Sequence, residues 1–351
     1  MNNTIVIPTG YMGSGSSAVT CLVSELNGFI APNSSFEYVF LHCPDGLFDL
    51  EDKLLYNNTS LRSDEAIHRF KVMMRNLYDL KYFWPGSYKT LVSKDFYNYV
   101  IDFLNDISIT SYDSSYWYYQ EIPTGIKMKI FVLFRHILKK IFPNSLNGNI
   151  PLSYKTMNIS FPSYDEFFNA SQKFLKRVFN DLGLAHNNIV LDQLLLPHNL
   201  SRIDRYFDQN VRVIVVDRDP RDVFILNKYY WAKSGVPVPY PLDVNCFVEY
   251  YRKLRLSEPC ISHKQILRIH FEDLIYKYKE TTDKIFSFIG SDVSNHNPRA
   301  EFDPDVSINN TQVYNSNSSY SQEVEVIQIN LKEYLYPFPY IFNNQNNDSI
   351  F

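Results

Sequence analysis

Two short stretches carry most of the residues whose types and spacing suit chemistry. Residues 10–17 read GYMGSGSS, directly after the apolar run TIVIPT. A glycine-rich turn in that place presents several backbone N–H groups to one point, and the start of the next helix adds the positive end of its dipole, so an anion binds there. Ser14, Ser16 and Ser17 add hydroxyl donors, Gly13 and Gly15 let the main chain approach a phosphate, and Met12 sits at the turn. The spacing is that of the G-x-x-x-x-G-K-[ST] loop, but Ser16 stands where the lysine that reaches β- and γ-phosphates belongs. The second stretch is VRVIVVDRDPRDVFILNKYYW, residues 211–231. An apolar strand there delivers Arg218 and Arg221 to its carboxyl end, where open α/β sheets bind ligands. The guanidinium fork suits a phosphate monoester. Asp222 is placed to hold Arg221, and Pro220 fits the first turn of a helix. Asp217 is a candidate for organising Mg²⁺ in a nucleotidase, although RDPRD follows it at once.

These residues need strands and helices to position them, and the hydrophobic pattern supplies both. TIVIP reads as a buried strand and SSAVTCLVSELNGF as a helix closed by Asn27-Gly28. Residues 30–51 read as loop with a short strand around Tyr38–Leu41. Residues 62–182 are mainly helical, with apolar faces in 64–83, 127–142 and 164–183. A second α/β series follows: strands at NNIVLDQ, VRVIVVD and KQILRIH, helices from Pro220 to Trp231 and over FEDLIYKYKETTDKIFSFIG, and a last amphipathic helix over 321–336. The alternation predicts an α/β fold with a central parallel sheet flanked by helices. The block at 60–182 is then a helical insertion in a single domain covering 1–351.

Composition narrows the function classes. Hydrophobic residues make up 45% and aromatic residues 16%, enough for a large core, and a net charge of −4 without a basic stripe excludes nucleic acid as a partner. Cys21, Cys43, Cys246 and Cys260 are scattered without a C-x-x-C pair, which argues against a disulfide framework or a metal site. The most apolar stretch, IKMKIFVLFRHILKKIF, carries charges too often to span a membrane. The N-terminus shows neither a basic n-region nor a long apolar h-region, and the expected location is cytoplasmic.

PTGYMGSGSSAV and VRVIVVDRDPRDVF together resemble the two cofactor motifs of sulfotransferases that use 3′-phosphoadenosine 5′-phosphosulfate (PAPS). In that family an N-terminal strand–loop–helix holds the 5′-phosphosulfate, and a later strand ending in R-[DN]-P-[RK]-D holds the 3′-phosphate. ILRIHFEDLIYKYKETTDKIFSFIG resembles the family's hydrophobic-[YF]-E-D-L segment and its following helix, and NNIVLDQLLLPHNLSRIDRYF occupies the place of the strand before the Arg motif. The resemblance covers both ends of the chain and leaves residues of about 60–180, where these enzymes vary with acceptor, unmatched. It implies a P-loop NTPase-like sulfotransferase fold, PAPS as co-substrate, and no metal. Met12 to Ser17 and Arg218 are then cofactor-binding, with Arg299, Ser307 and Asn310 in a later loop closing over the 3′-phosphate.

The chain departs from the family at two points. The loop's usual Lys or Arg is replaced by Gly13, so a cation must come from elsewhere, with Lys228, Arg202 and Arg221 as candidates. The usual Ser eight residues after the first Arg is replaced by Leu226 followed by Asn227, whose amide can donate to the 3′-phosphate instead. The family's Glu base corresponds best to Glu37; His42 and His198 are alternatives, because imidazole titrates near neutrality. FEDL is expected to pack and hold the sheet edge. The aromatic clusters Tyr116–Tyr119 and Phe83-Trp84 favour a carbohydrate acceptor, since such rings stack on sugar faces. Two other classes remain open: a nucleotide-binding kinase or ATPase, and a non-catalytic member that binds nucleotide or glycan without turnover.

Overall fold

The computed structural model describes residues 3–33, 36–80, 86–107, 110–114, 125–142, 155–207, 210–235 and 238–342. In chain order its first elements are β1 (Ile5–Gly10), α1 (Ser16–Ser24), β2 (Phe29–Ile30), α2 (Leu47–Leu55), α3 (Ser60–Asp79), α4 (Tyr88–Leu91), α5 (Phe96–Asp106) and β3 (Thr110–Ser114). Then come α6 (Ile126–Ile141), β4 (Lys155–Ile159), α7 (Tyr164–Asp181), β5 (Asn188–Val190), α8 (Ile203–Tyr206), β6 (Val211–Asp217) and α9 (Pro220–Ile225). The last are α10 (Val244–Leu256), β7 (Ile266–His270), α11 (Asp273–Tyr276), α12 (Tyr278–Ile289), α13 (Pro304–Ser307) and α14 (Ser321–Asn330).

The expected parallel sheet forms, in the order β2-β5-β1-β6-β7. Alternate side chains of its central strands enter two different apolar layers. Ile5, Ile7, Val213 and Val215 pack with α2, α3, α5 and α7, whereas Val6, Ile214 and Val216 pack with α1 and α12. Burial on both faces is why these strands read as continuous apolar runs. From β1 the chain crosses toward β2, and from β6 it crosses the other way, toward β7. The carboxyl ends of β1 and β6 therefore flank the switch point where such sheets bind ligands. Register pairs Gly10 with Val216, which sets the glycine loop beside Asp217 and Arg218.

The insertion is mainly helical, as expected, and shares its core with the sheet: Phe40 and Phe96 pack at 5.7 Å, and Phe103 and Phe174 at 5.8 Å. It also contains an antiparallel β3–β4 pair that periodicity did not reveal, because the two five-residue strands lie far apart in sequence. The strand expected at Tyr38–Leu41 does not form. The amides of Val39 and Phe40 donate to the Tyr88 hydroxyl at 2.9 and 3.3 Å, and that of Tyr38 to Asp192 O, so they are satisfied without a ladder. Helix α2 then occupies part of a stretch expected to be loop. The helix expected from Pro220 to Trp231 is present, but Leu226–Trp231 is a π-helical turn. The helix over FEDL onward is broken at Lys277 into α11 and α12, and the last helix stops at Asn330. Phe83, Trp84 and Tyr116–Tyr119 lie outside the described residues. Among the described residues no helix is long and apolar enough to cross a membrane.

Candidate functional site

The loop between β1 and α1 is shaped by what presses on it. Gly13 and Gly15 have φ of 80° and 90°, a left-handed conformation open to glycine. A Cβ on Gly13 would lie 2.5 Å from the Trp231 ring, and one on Gly15 would lie 2.5 Å from the Phe271 ring. The π-helical turn after α9 carries Trp231, whose indole fills the space that a side chain at position 13 would enter. Helix α1 begins at Ser16 with Gly15 at its N-cap, and no side chain caps its first amides. Ala18 N donates to Gly15 O at 3.1 Å, which leaves the Ser16 and Ser17 amides available to an anion.

Arg218 leaves the end of β6 and reaches back to this loop. Its Nη1 donates to Gly13 O at 2.9 Å, its other amino group donates to Asn310 O, and its guanidinium lies 4.8 Å over the Phe271 ring. It is buried, and burial pushes its pKa down from the usual arginine value against the pull of Asp222, Glu272 and Asp219. Its Nε has no hydrogen-bond partner within the protein. Beside it lies a cavity of about 360 Å³ lined by Gly15, Ser17, Arg218, Phe271, Ser307 and Asn310, and also by Glu301 and Asp303. Glu25 accepts from the amides of Glu301 and Phe302, and Asp222 from those of Gln312 and Tyr314, which together fix the loop around the cavity.

The other cations near these motifs are engaged. Arg221 is held by Asp219 at 2.7 and 2.9 Å, not by Asp222 as its spacing suggested. Arg202 pairs with Glu51 and Asp52, and Lys228 with Glu323. Asp217 accepts from Arg255 and Arg268, each at 2.8 Å. Glu272 of FEDL accepts from Asp219 N at 2.8 Å, and burial pushes its pKa up to about 8. Thus FEDL holds the turn after β6 as well as packing the edge, and Phe271 lines the cavity.

The remaining expected residues are distributed unevenly. Gly15, Ser17 and Arg218 border the cavity. Met12 and Ser14 border instead a void of about 10 Å³ with Arg218 and Tyr240, where the Ser14 hydroxyl has no partner. Asn227 is buried, its amide donating to Tyr240 O at 3.1 Å. Arg299 is half-exposed and pairs with Asp305 at 2.6 Å. His198 contacts Ser257 Oγ at 2.7 Å, under the edge of Tyr11.

A second, acidic cluster meets the opposite side of the loop. The Ser16 hydroxyl accepts from Gln193 Nε2 at 3.0 Å and lowers the pKa of Asp192, just past β5. Burial and then the Glu37 charge push the Asp192 carboxyl up to about 7, and its Oδ1 has no hydrogen-bond partner. Glu37, half-buried, is also raised by burial. His42 contacts Gln193 O at 2.8 Å, and burial lowers its pKa. The structure thus brings Glu37 and His42 to one cluster and leaves His198 in another.

No family model matches the sequence, and no curated protein matches it. Solved structures give a different result. The likeness is to sulfotransferase domains. One is from the olefin synthase of Synechococcus PCC 7002, at 12% identity over 95% of this chain and 94% of that one, with a TM-score of 0.38. Another is from the curacin biosynthetic pathway, at 10% identity over 98% and 95%, with a TM-score of 0.36. A third is a sulfotransferase from Mycobacterium avium, at 12% identity over 98% and 78%, with a TM-score of 0.34. At such identities no residue role is carried across.

Asp192, Gln193 and Phe271 were missed from sequence. The signal for Asp192 was present, as an acid at the carboxyl end of the apolar run NIVL next to β1. Phe271 gave none, because its contact with Gly15 depends on how β7 sits against β6.

Proposed function

We propose that the chain is a sulfotransferase that moves the sulfuryl group of PAPS to an acceptor hydroxyl, with a carbohydrate as acceptor. The observation that carries the reading is the contact of Arg218 with Gly13 O: two phosphate-type motifs 205 residues apart meet at one cavity. The residues fit the bisphosphate. Arg218 Nε is an unpaired buried donor, the Ser16 and Ser17 amides at the start of α1 have no side-chain cap, and Ser17 lines the same space. In the transfer, the acceptor oxygen bonds to sulfur, the bridging S–O bond breaks toward the 5′-phosphate, and the acceptor proton passes to a base. Glu37 takes that proton: it is half-buried, and burial raises its pKa, which makes it a stronger base than a free carboxylate. Arg299 belongs to the outer part of the nucleotide site in this reading, whereas Asn227, buried with its amide on Tyr240 O, is not among the residues that line the cavity.

Two features weigh between the alternatives. Asp217, the Mg²⁺ candidate of a kinase reading, is occupied by two arginines. The filled space at Gly13 favours a non-catalytic member, because the usual loop cation has no room. Thermal shift separates the classes. Stabilisation by 3′-phosphoadenosine 5′-phosphate, lost in Arg218→Ala, is expected; stabilisation by Mg²⁺-ATP alone would falsify the reading. Bisphosphate binding without transfer of labelled sulfate to any glycan, protein or small-molecule acceptor identifies the non-catalytic class.

A further inference from the structure

Helix α6 differs from the helices around it. Among the described residues none of its 16 is buried, whereas α7, with 18, buries Phe167, Phe168, Phe174, Leu175, Val178 and Phe179 among others. Ile126, Ile130, Leu133, Phe134, Ile137 and Ile141 recur at helical spacing along one face. Each is 45% to 76% exposed. By the helical period, Lys127 borders this stripe on one edge and Lys129 and Lys140 on the other, with Arg135 and Lys139 farther round. Residues 126–142 contain five Lys and Arg and no Asp or Glu, in a chain whose net charge is −4.

We infer that α6 lies in the headgroup layer of an anionic lipid surface. The isoleucine and phenylalanine stripe enters the acyl boundary, and the flanking lysines extend to lipid phosphates. Charge selects this occupant. Against a second copy of the chain, the lysine edges of one stripe would face the lysine edges of the other, and like charges so placed repel. An anionic lipid surface neutralises both edges at once. The helix lies on the surface instead of crossing it, being about 24 Å long and repeatedly charged. The inference stands apart from the proposed chemistry.

Sedimentation of the full chain with vesicles tests it, using phosphatidylcholine alone and with phosphatidylserine at roughly three parts in ten. The chain is expected to bind the serine-containing vesicles, to bind the neutral ones weakly, and to dissociate in high salt. Ile130→Glu with Phe134→Glu lowers binding at least about tenfold, with circular dichroism to check the fold. Lys129→Gln with Lys140→Gln, which leaves the stripe intact, also lowers it roughly tenfold and carries the test if the first variant misfolds. Absence of binding to the anionic vesicles, or equal binding by wild type and both variants, overturns the inference. So does a dimer, by light scattering without lipid, that Ile130→Glu with Phe134→Glu dissociates.

Discussion

The two sides of the glycine loop are built oppositely. On one side Ser17, Arg218 and Phe271 border a cavity, with a buried guanidinium bound to the loop carbonyl. On the other, the neighbouring hydroxyl of Ser16 is held by Gln193, with the Asp192 and Glu37 carboxyls close by. The first side holds fixed positive charge and lacks an acceptor for Arg218 Nε. The second holds Asp192, whose carboxyl burial pushes up to about 7, and Glu37, which burial also raises. A protonated Asp192 places no negative charge behind the loop, so an anion bound in front is not repelled. The proposed function uses the first side for the anion and the second for the proton.

The largest expected effect that would break this division is on turnover. Glu37→Gln should leave bisphosphate stabilisation unchanged and lower sulfate transfer about 10²- to 10⁴-fold; full activity would move the base to His42 or His198. Next comes the pH dependence of stability. The Asp192 pKa is raised on folding, so its contribution is fully present below the unfolded carboxylate value and is lost as pH rises to about 7. Asp192→Asn should therefore gain roughly 2–4 kcal/mol relative to wild type between pH 4 and 8. Parallel denaturant curves across that range would show that the acidic side is not buried as described. The smallest effect sharpens the cationic side. Gly13→Lys should cost about 1–3 kcal/mol from its positive φ and the collision with Trp231, without raising turnover. A rise in labelled-sulfate transfer would mean that Trp231 yields and the loop lacks only a charge.

Legibility followed the range of the interaction. The β1 loop, the DRDPRD turn and the parallel sheet were readable because strand periodicity, glycine spacing and an apolar run are local signals. Arg218 was named from its motif, but its bond to Gly13 O needed the register of β6 against β1. The strand expected at Tyr38–Leu41 failed because a tyrosine 49 residues away satisfies Val39 N. The pairing of Arg221 with Asp219 instead of Asp222 was a choice between two neighbouring acids that turn geometry made.

The sequence by itself determined the strands β1, β5, β6 and β7 of the central sheet, the place of both phosphate-type motifs and the amphipathic character of residues 126–141, since each is written in spacing along the chain. Tertiary structure alone decided that Trp231 fills the space at Gly13, that Phe271 closes on Gly15, and that Asp192 is buried against Ser16 and Glu37. Those residues come from loops and turns far apart in the chain, and only strand order and close packing bring them together.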